Sequence, residues 1–170
     1  MAAPTETRSE QEAPDFELPP QRTLTRLKIS KEVAWYMLSR GYALPENPPH
    51  LKTPEGSREK GALFDPEAVD AVIGAFSVLR HTKGRWAGQP LIPDPWQIAY
   101  FLAPVFGWVK WSSDANKYVR VVRTAYMDVP RKNGKSTLSG GIAVYLTGAD
   151  GEPGAEVVAA ASTKDQAGFV

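Results

Sequence analysis

The stretch Val129-Pro130-Arg131-Lys132-Asn133-Gly134-Lys135-Ser136 holds the residue types best suited to chemistry. Against the pattern G-x-x-x-x-G-K-[ST] it agrees at Gly134, Lys135 and Ser136, with Val129 where the first glycine would stand. A polyphosphate needs several backbone N–H groups converging at a helix N-terminus, where the helix dipole is positive. Gly134 lets the backbone approach phosphate without a Cβ in the way. Lys135 supplies a point charge to the β- and γ-phosphates, and Ser136 a hydroxyl ligand for Mg²⁺. Val129 does not readily take a positive φ, so the chain has to approach this loop differently, with Pro130 as the residue that would fix it. A solvated turn with ordinary helix capping is the competing reading. What favours phosphate is the loop's place between an expected strand and an apolar helix.

Two further pairs carry weaker signals. Arg131 and Lys132 either belong to a solvated turn or add charge to the site, Arg131 then pointing at the γ-phosphate as an arginine finger does. Trp96-Gln97 reads either as helix core or as a nucleobase reader, since a Gln amide can bond an adenine edge bidentately while an aromatic ring stacks on it. His81 is read as a helix cap. Lys110, Lys117, Arg120 and Arg123 are read as a solvated face rather than a DNA contact. Thr163, Lys164 and Gln166 stand where a second strand would end, the side on which open α/β sheets bind ligands.

These residues need elements to hold them. Residues 1–21 are rich in Pro, Glu, Ala and Thr and lack apolar periodicity, which predicts a disordered leader. Ser30 as N-cap and Gly41 beyond the end bracket a helix over 30–40. Residues 45–61, with four Pro and two Gly, predict an irregular connection. Asp65, Pro66 and the stripe Val69, Val72, Ile73, Phe76, Leu79 predict a helix over 65–81. Asp94 and Pro95 open another over 93–106. Tyr118 to Val129 is rich in Val and Tyr and reads as a strand. A helix over 134–146, a loop over 150–154 and a strand over 156–161 follow, and Thr163 to Gln166 resemble a capping box. Strand, helix and strand make a βαβ unit, which implies a parallel sheet with a right-handed crossover. A two-stranded parallel sheet has little core, so Val170 is expected to lie inside a larger domain.

Composition excludes several classes. The chain has 170 residues, 42% of them hydrophobic, enough for one ordinary domain with a buried core. Twenty Lys and Arg against 19 Asp and Glu leave a formal charge of +1, which argues against a polybasic protein without excluding a local basic patch. With no Cys and two His, thiol catalysis, disulfide scaffolds and His-rich metal sites drop out. No apolar run approaches the roughly 20 residues of a membrane span, and residues 1–12 lack a signal-type stretch, so a soluble intracellular protein is expected.

Phe64-Asp65-Pro66, Trp86-Ala87-Gly88-Gln89-Pro90, Pro95-Trp96-Gln97 and Phe106-Gly107-Trp108 resemble, in order, the upstream part of tailed-bacteriophage terminase large subunits. The 129–136 stretch resembles that family's deviant Walker A, in which the first glycine is commonly absent, and residues 159–167 resemble the strand and helix start that follow. The resemblance covers about residues 60–170. It implies an α/β fold of P-loop NTPase type, its parallel sheet incomplete here and preceded by a helical N-terminal region. The parts would be a leader over 1–21, a helical region over 22–92, and over 93–170 the N-terminal part of an ATPase domain cut before Walker B. By resemblance the cofactors are ATP and Mg²⁺. Lys135 and Ser136 would hold phosphate and Mg²⁺, Arg131 would assist hydrolysis, and Gln97 with Trp96 would read adenine. Pro130, Lys132, Asn133, Gly134 and Thr137 would complete the ATP contacts. The activity implied is ATP-driven translocation of double-stranded DNA into a procapsid, in the host cytoplasm. Its partners would be a portal protein, a terminase small subunit and further copies in a ring, with no membrane. No apolar strand ending in paired acidic residues follows the loop within these 170 residues, so this chain alone is expected to hydrolyse ATP poorly or not at all. Another P-loop motor of helicase or partitioning type, and a non-catalytic fragment docking on DNA, portal or small subunit, remain the alternatives.

Overall fold

The computed structural model describes residues 17–81, 84–151 and 155–160. They fall into two compact units, one drawing on residues up to Pro66 and on Asp94–Ala125, the other on Glu67–Pro93 and on the chain from Tyr126 onward.

In the first unit, helix α1 (Gln21–Leu27) buries Leu24 and Leu27 and ends at Lys28 in a left-handed conformation, φ 56°. Helix α2 (Lys31–Ser39) is opened by the Ser30 hydroxyl, which accepts from the Val33 N–H at 3.2 Å, and buries Val33, Ala34, Tyr36 and Met37. The expectation of a helix bounded by Ser30 and Gly41 holds to a residue at either end. The irregular connection over 45–61 is likewise seen, save for a single 3₁₀ turn at Gly56–Arg58.

A small antiparallel sheet follows, in the order β1 (Ala62–Phe64), β2 (Trp108–Ser112), β3 (Lys117–Arg120). Trp111 faces Tyr118 across the β2–β3 pair, their rings edge-on at 5.3 Å, a cross-strand aromatic contact that fixes register. Phe64 stands edge-on to Trp108 at 5.3 Å and to Tyr36 at 6.2 Å, tying the sheet to α2. Glu55 locks the same corner. Its carboxylate accepts from the Ser30 N–H, from Trp108 Nε1 at 3.2 Å and from Lys52.

The helix expected over 93–106 is made of three pieces. Helix α4 (Pro95–Gln97) passes into a π-helical turn (Ile98–Leu102) and then α5 (Ala103–Phe106). Pro104 has no N–H to give the carbonyl four residues back, and its ring crowds that carbonyl. A widened turn just before it relieves both.

The second unit contains helix α3 (Pro66–Val78), burying Val69, Val72 and Phe76, and helix α6 (Lys135–Gly148), burying Leu138, Gly141 and Tyr145. Leu79 and Arg80, expected in the helix, instead begin a turn that closes on residues 89–91, so α3 stops at Val78.

The β-structure differs most from expectation. The strand over 118–129 stops at Arg120, and residues 121–130 are irregular. What exists of it pairs antiparallel with β2 through the four-residue turn at 113–116, where Asn116 takes φ 49°. Residues 156–160 form no strand, while Ala161 and the capping box at 163–166 lie outside the described residues, as do residues 1–16 of the expected leader. Among the described residues every strand pair is antiparallel, and the parallel βαβ sheet is not seen. The protein is therefore a mixed helix and strand structure with a small antiparallel sheet.

Candidate functional site

The loop from Val129 to Gly134 leads directly into α6, as its sequence required. Gly134 is the N-cap residue at φ 69°, a left-handed conformation that glycine takes without steric cost. Having no side chain, it leaves the N–H groups of the first turn of α6 without a side-chain cap, and that turn contains no acidic residue. These N–H groups have no acceptor within the helix, so they and the dipole together favour an anion at this end. Lys132 is also left-handed, at φ 70°, whereas Val129 is not. The missing first glycine is therefore accommodated without strain at Val129. Alternation of hand between neighbouring residues turns successive N–H groups toward one side, which is how backbone nests bind anions.

Two side chains hold the loop in shape. Asn133 Nδ2 donates to the Pro130 carbonyl at 3.2 Å. Lys135 reaches back six residues, and its Nζ donates to the Val129 carbonyl at 2.8 Å. The ammonium thus spans the loop from its last residue to its first. Arg131, Lys132, Asn133, Gly134, Lys135, Ser136 and Thr137 are all exposed, open to a ligand from solvent. Nothing in the sequence announces the Lys135–Val129 bond, because a carbonyl acceptor has no residue-type signature.

Trp96 and Gln97 belong to the first unit and the loop to the second. Gln97 is 7% exposed, and its Oε1 accepts from the Asp94 N–H at 2.9 Å, one half of a capping box at the start of α4. The spacing Asp94-x-x-Gln97 is itself a capping-box signature, so this bond was legible in sequence although only Asp94 was assigned to the cap. One lone pair of Oε1 remains after this bond. Trp96 is half-buried.

The basic residues of the sheet are placed individually. Lys110 pairs with Glu59 at 2.8 Å, and this ammonium holds the Glu59 carboxyl below its usual 4.5. The Arg120 guanidinium lies 5.3 Å over the Phe106 ring, so part of its surface is already used. His81 lies beyond the end of α3, its backbone bonded to Gln89 and Gly88, and does not cap the helix. Thr163, Lys164 and Gln166 lie outside the described residues. Among the described residues no group of three or more His, Asp or Glu is placed to hold a metal ion, and no helix is long and apolar enough to cross a membrane.

Comparison with known proteins adds one finding. Residues 95–170 match the family model described as terminase large subunit, ATPase domain. No curated protein and no solved structure matches the chain.

Proposed function

We propose that this chain, whose residues 95–170 match the terminase large subunit ATPase domain model, binds ATP with Mg²⁺ on the loop 130–137 as part of a DNA-packaging motor. The observation that carries the proposal is the start of α6: an uncapped helix N-terminus, a left-handed Gly134 and the Lys135 ammonium drawn across an exposed loop.

Each loop residue then has a role. Lys135 exchanges the Val129 carbonyl for phosphate oxygens, a stronger charge-assisted acceptor. Ser136 offers its hydroxyl to Mg²⁺, and Thr137 lies beside it in the first turn. Arg131 is the cation facing the γ-phosphate, where charge develops during transfer. Pro130, Lys132, Asn133 and Gly134 shape the backbone that meets the phosphates. Gln97, through the remaining lone pair of Oε1 and its Nε2 donors, and Trp96, through its ring, are the adenine contacts. Held by the Ser136 hydroxyl, Mg²⁺ would supply positive charge against the phosphates. Double-stranded DNA, a portal protein, a small subunit and a ring of copies are the partners that go with this reading.

Calorimetric titration of a non-hydrolysable ATP analogue with Mg²⁺ tests it. Wild type should bind and Lys135→Ala should not, in chains whose circular dichroism matches. Binding that survives Lys135→Ala, or a folded wild type that binds nothing, overturns the phosphate-loop assignment. The 170 residues contain no paired acidic residues after the loop to position Mg²⁺ and polarise water, so the chain should bind ATP without turning it over. Magnesium-dependent turnover abolished by Lys135→Ala would refute that part alone.

A further inference from the structure

We propose that Asn133 is a positioning residue, whose side-chain amide holds Lys132 in the left-handed conformation that shapes the loop backbone for phosphate. The inference rests on the function proposed above and deepens it, by naming the side chain that sets the backbone before a ligand binds.

Among the described residues Lys28, Asn116 and Lys132 have a positive φ without being glycine, and the first two have a local reason for it. Lys28 ends α1, where a left-handed residue is a common C-terminal cap. Asn116 lies in the turn joining β2 to β3, and asparagine tolerates this hand better than most residues. Lys132, at φ 70°, neither ends a helix nor joins two strands. A lysine there carries the full steric cost of its Cβ, so something outside the residue itself must hold it.

The next residue supplies the hold. Asn133 Nδ2 donates to the Pro130 carbonyl at 3.2 Å and approaches the Arg131 carbonyl at 3.5 Å. The bond to Pro130 closes a ring of chain around residues 131 and 132, with Lys132 inside it. Pro130 is a stiff anchor for that bond, because its own ring fixes its φ. The Lys135–Val129 bond lies outside this ring, running from the residue after Gly134 to the residue before Pro130, and it ties the loop without fixing residue 132 directly. Asn133 is exposed, so its removal leaves no cavity and its part is the amide bond. It also stands between Lys132 and Gly134, the two left-handed residues that turn successive N–H groups to one side. If Lys132 loses its hand, half of that arrangement is lost with it.

The test joins nuclear magnetic resonance of the ligand-free 170-residue chain to calorimetry with the non-hydrolysable ATP analogue and Mg²⁺. A positive φ brings a residue's own N–H and Hα protons close together. Lys132 should therefore give a strong intraresidue Overhauser effect in wild type and a weak one in Asn133→Ala. Asn133→Ala should also weaken analogue binding about tenfold, the scale of the left-handed penalty, with circular dichroism unchanged. Lys132→Gly and Lys132→Ala, each placed in the Asn133→Ala background, lose the same charge and differ in backbone freedom. The glycine version should bind the analogue about fivefold tighter than the alanine version, because glycine takes either hand without the clasp. Equal binding by those two, or an Overhauser effect at Lys132 that Asn133→Ala leaves strong, overturns the proposal. A wild type that binds the analogue and an Asn133→Ala that binds it equally well remove this inference alone. A folded wild type that binds no analogue removes the function proposed above, and this inference with it.

Discussion

Gly141 sits in the middle of α6, and helix propensity alone says that alanine there should stabilise the protein by about 1 kcal/mol. The structure says the opposite. A Cβ built at Gly141 falls inside the contact surface of the Phe76 ring, meeting Cε1 and Cζ and lying 2.9 Å from Cδ1. Phe76 is 1% exposed, so its ring has no solvent to swing into. Overpacking of this kind costs about 1–3 kcal/mol even after relaxation, and expelling the ring would cost about 3–5 kcal/mol, the scale of a Phe→Ala truncation. The clash outweighs propensity, leaving a net loss of up to about 2 kcal/mol. At about 2–4 °C per kcal/mol for a chain of this size, Tm should fall by several degrees in thermal unfolding followed by circular dichroism. Gly74 on α3 is the internal control. It has open space around its Cβ direction and is exposed, so Gly74→Ala should raise Tm by about 2–4 °C. Phe76→Leu in the Gly141→Ala background should recover part of the loss, since the pair shares one contact. Because α6 begins at the loop proposed above to bind phosphate, Gly141→Ala should, on that reading, also weaken binding of the ATP analogue. A Gly141→Ala protein as stabilised as Gly74→Ala would refute the packing described between α3 and α6.

Gln97→Glu keeps a carbonyl-type acceptor for the Asp94 N–H while removing the Nε2 donors. Tm should stay within about 2 °C, an acid in the first turn being favoured by the dipole, while the preference for adenine over guanine nucleotides falls; an unchanged preference would leave Gln97 a capping residue only. The Tyr100 hydroxyl donates to the Asn47 carbonyl at 3.1 Å, and burial, opposed by the charge of Arg26, pushes this phenol above its usual 10.0. The unfolded chain then ionises first, so stability is fully present below about pH 10 and declines as pH rises through the folded value. Ultraviolet titration of wild type against Tyr100→Phe should show a late-titrating phenol missing from the variant, and a phenol titrating at the ordinary value would refute its burial.

The helices were legible because their signals are local. Ser30 and Gly41 bracket α2 through cap geometry that involves neighbouring residues alone, and the stripe Val69, Val72, Phe76 specifies the buried face of α3. The breaks were legible only in part. Pro104 announces a disturbance, but whether the helix stops or widens into a π turn depends on whether the next turn is held by burial, and Ala103 and Phe106 are held. The strands were misread for a different reason. Val and Tyr in 118–129 report a pleated, half-buried surface, whereas strand length is set by the partner. β2 pairs with the chain as far as Arg120 opposite Val109, with a last backbone bond from the Val121 N–H to the Trp108 carbonyl at 2.8 Å, and Trp108 is where β2 begins. The partner itself, Trp108–Ser112, was hidden because its identity as a strand is a property of the hairpin and not of five residues.

The site divides along the same line between local and distant causes. That Gly134, Lys135 and Ser136 open a helix follows from glycine geometry and the apolar stripe beyond, and the structure shows α6 beginning at Lys135. That Val129 replaces glycine at the loop's start looked like a defect while only backbone conformation was considered. In the structure Val129 contributes its carbonyl, which any residue has, and the side-chain ammonium of Lys135 occupies it. The residue type at 129 is therefore free to be β-branched, provided its φ stays negative, and the left-handed demand passes to Lys132 and Gly134. A loop built this way holds the Lys135 ammonium in place against its own backbone. On the reading proposed above, an incoming phosphate would first displace the Lys135–Val129 bond, and the favourable exchange of a neutral carbonyl for a charged oxygen would drive it.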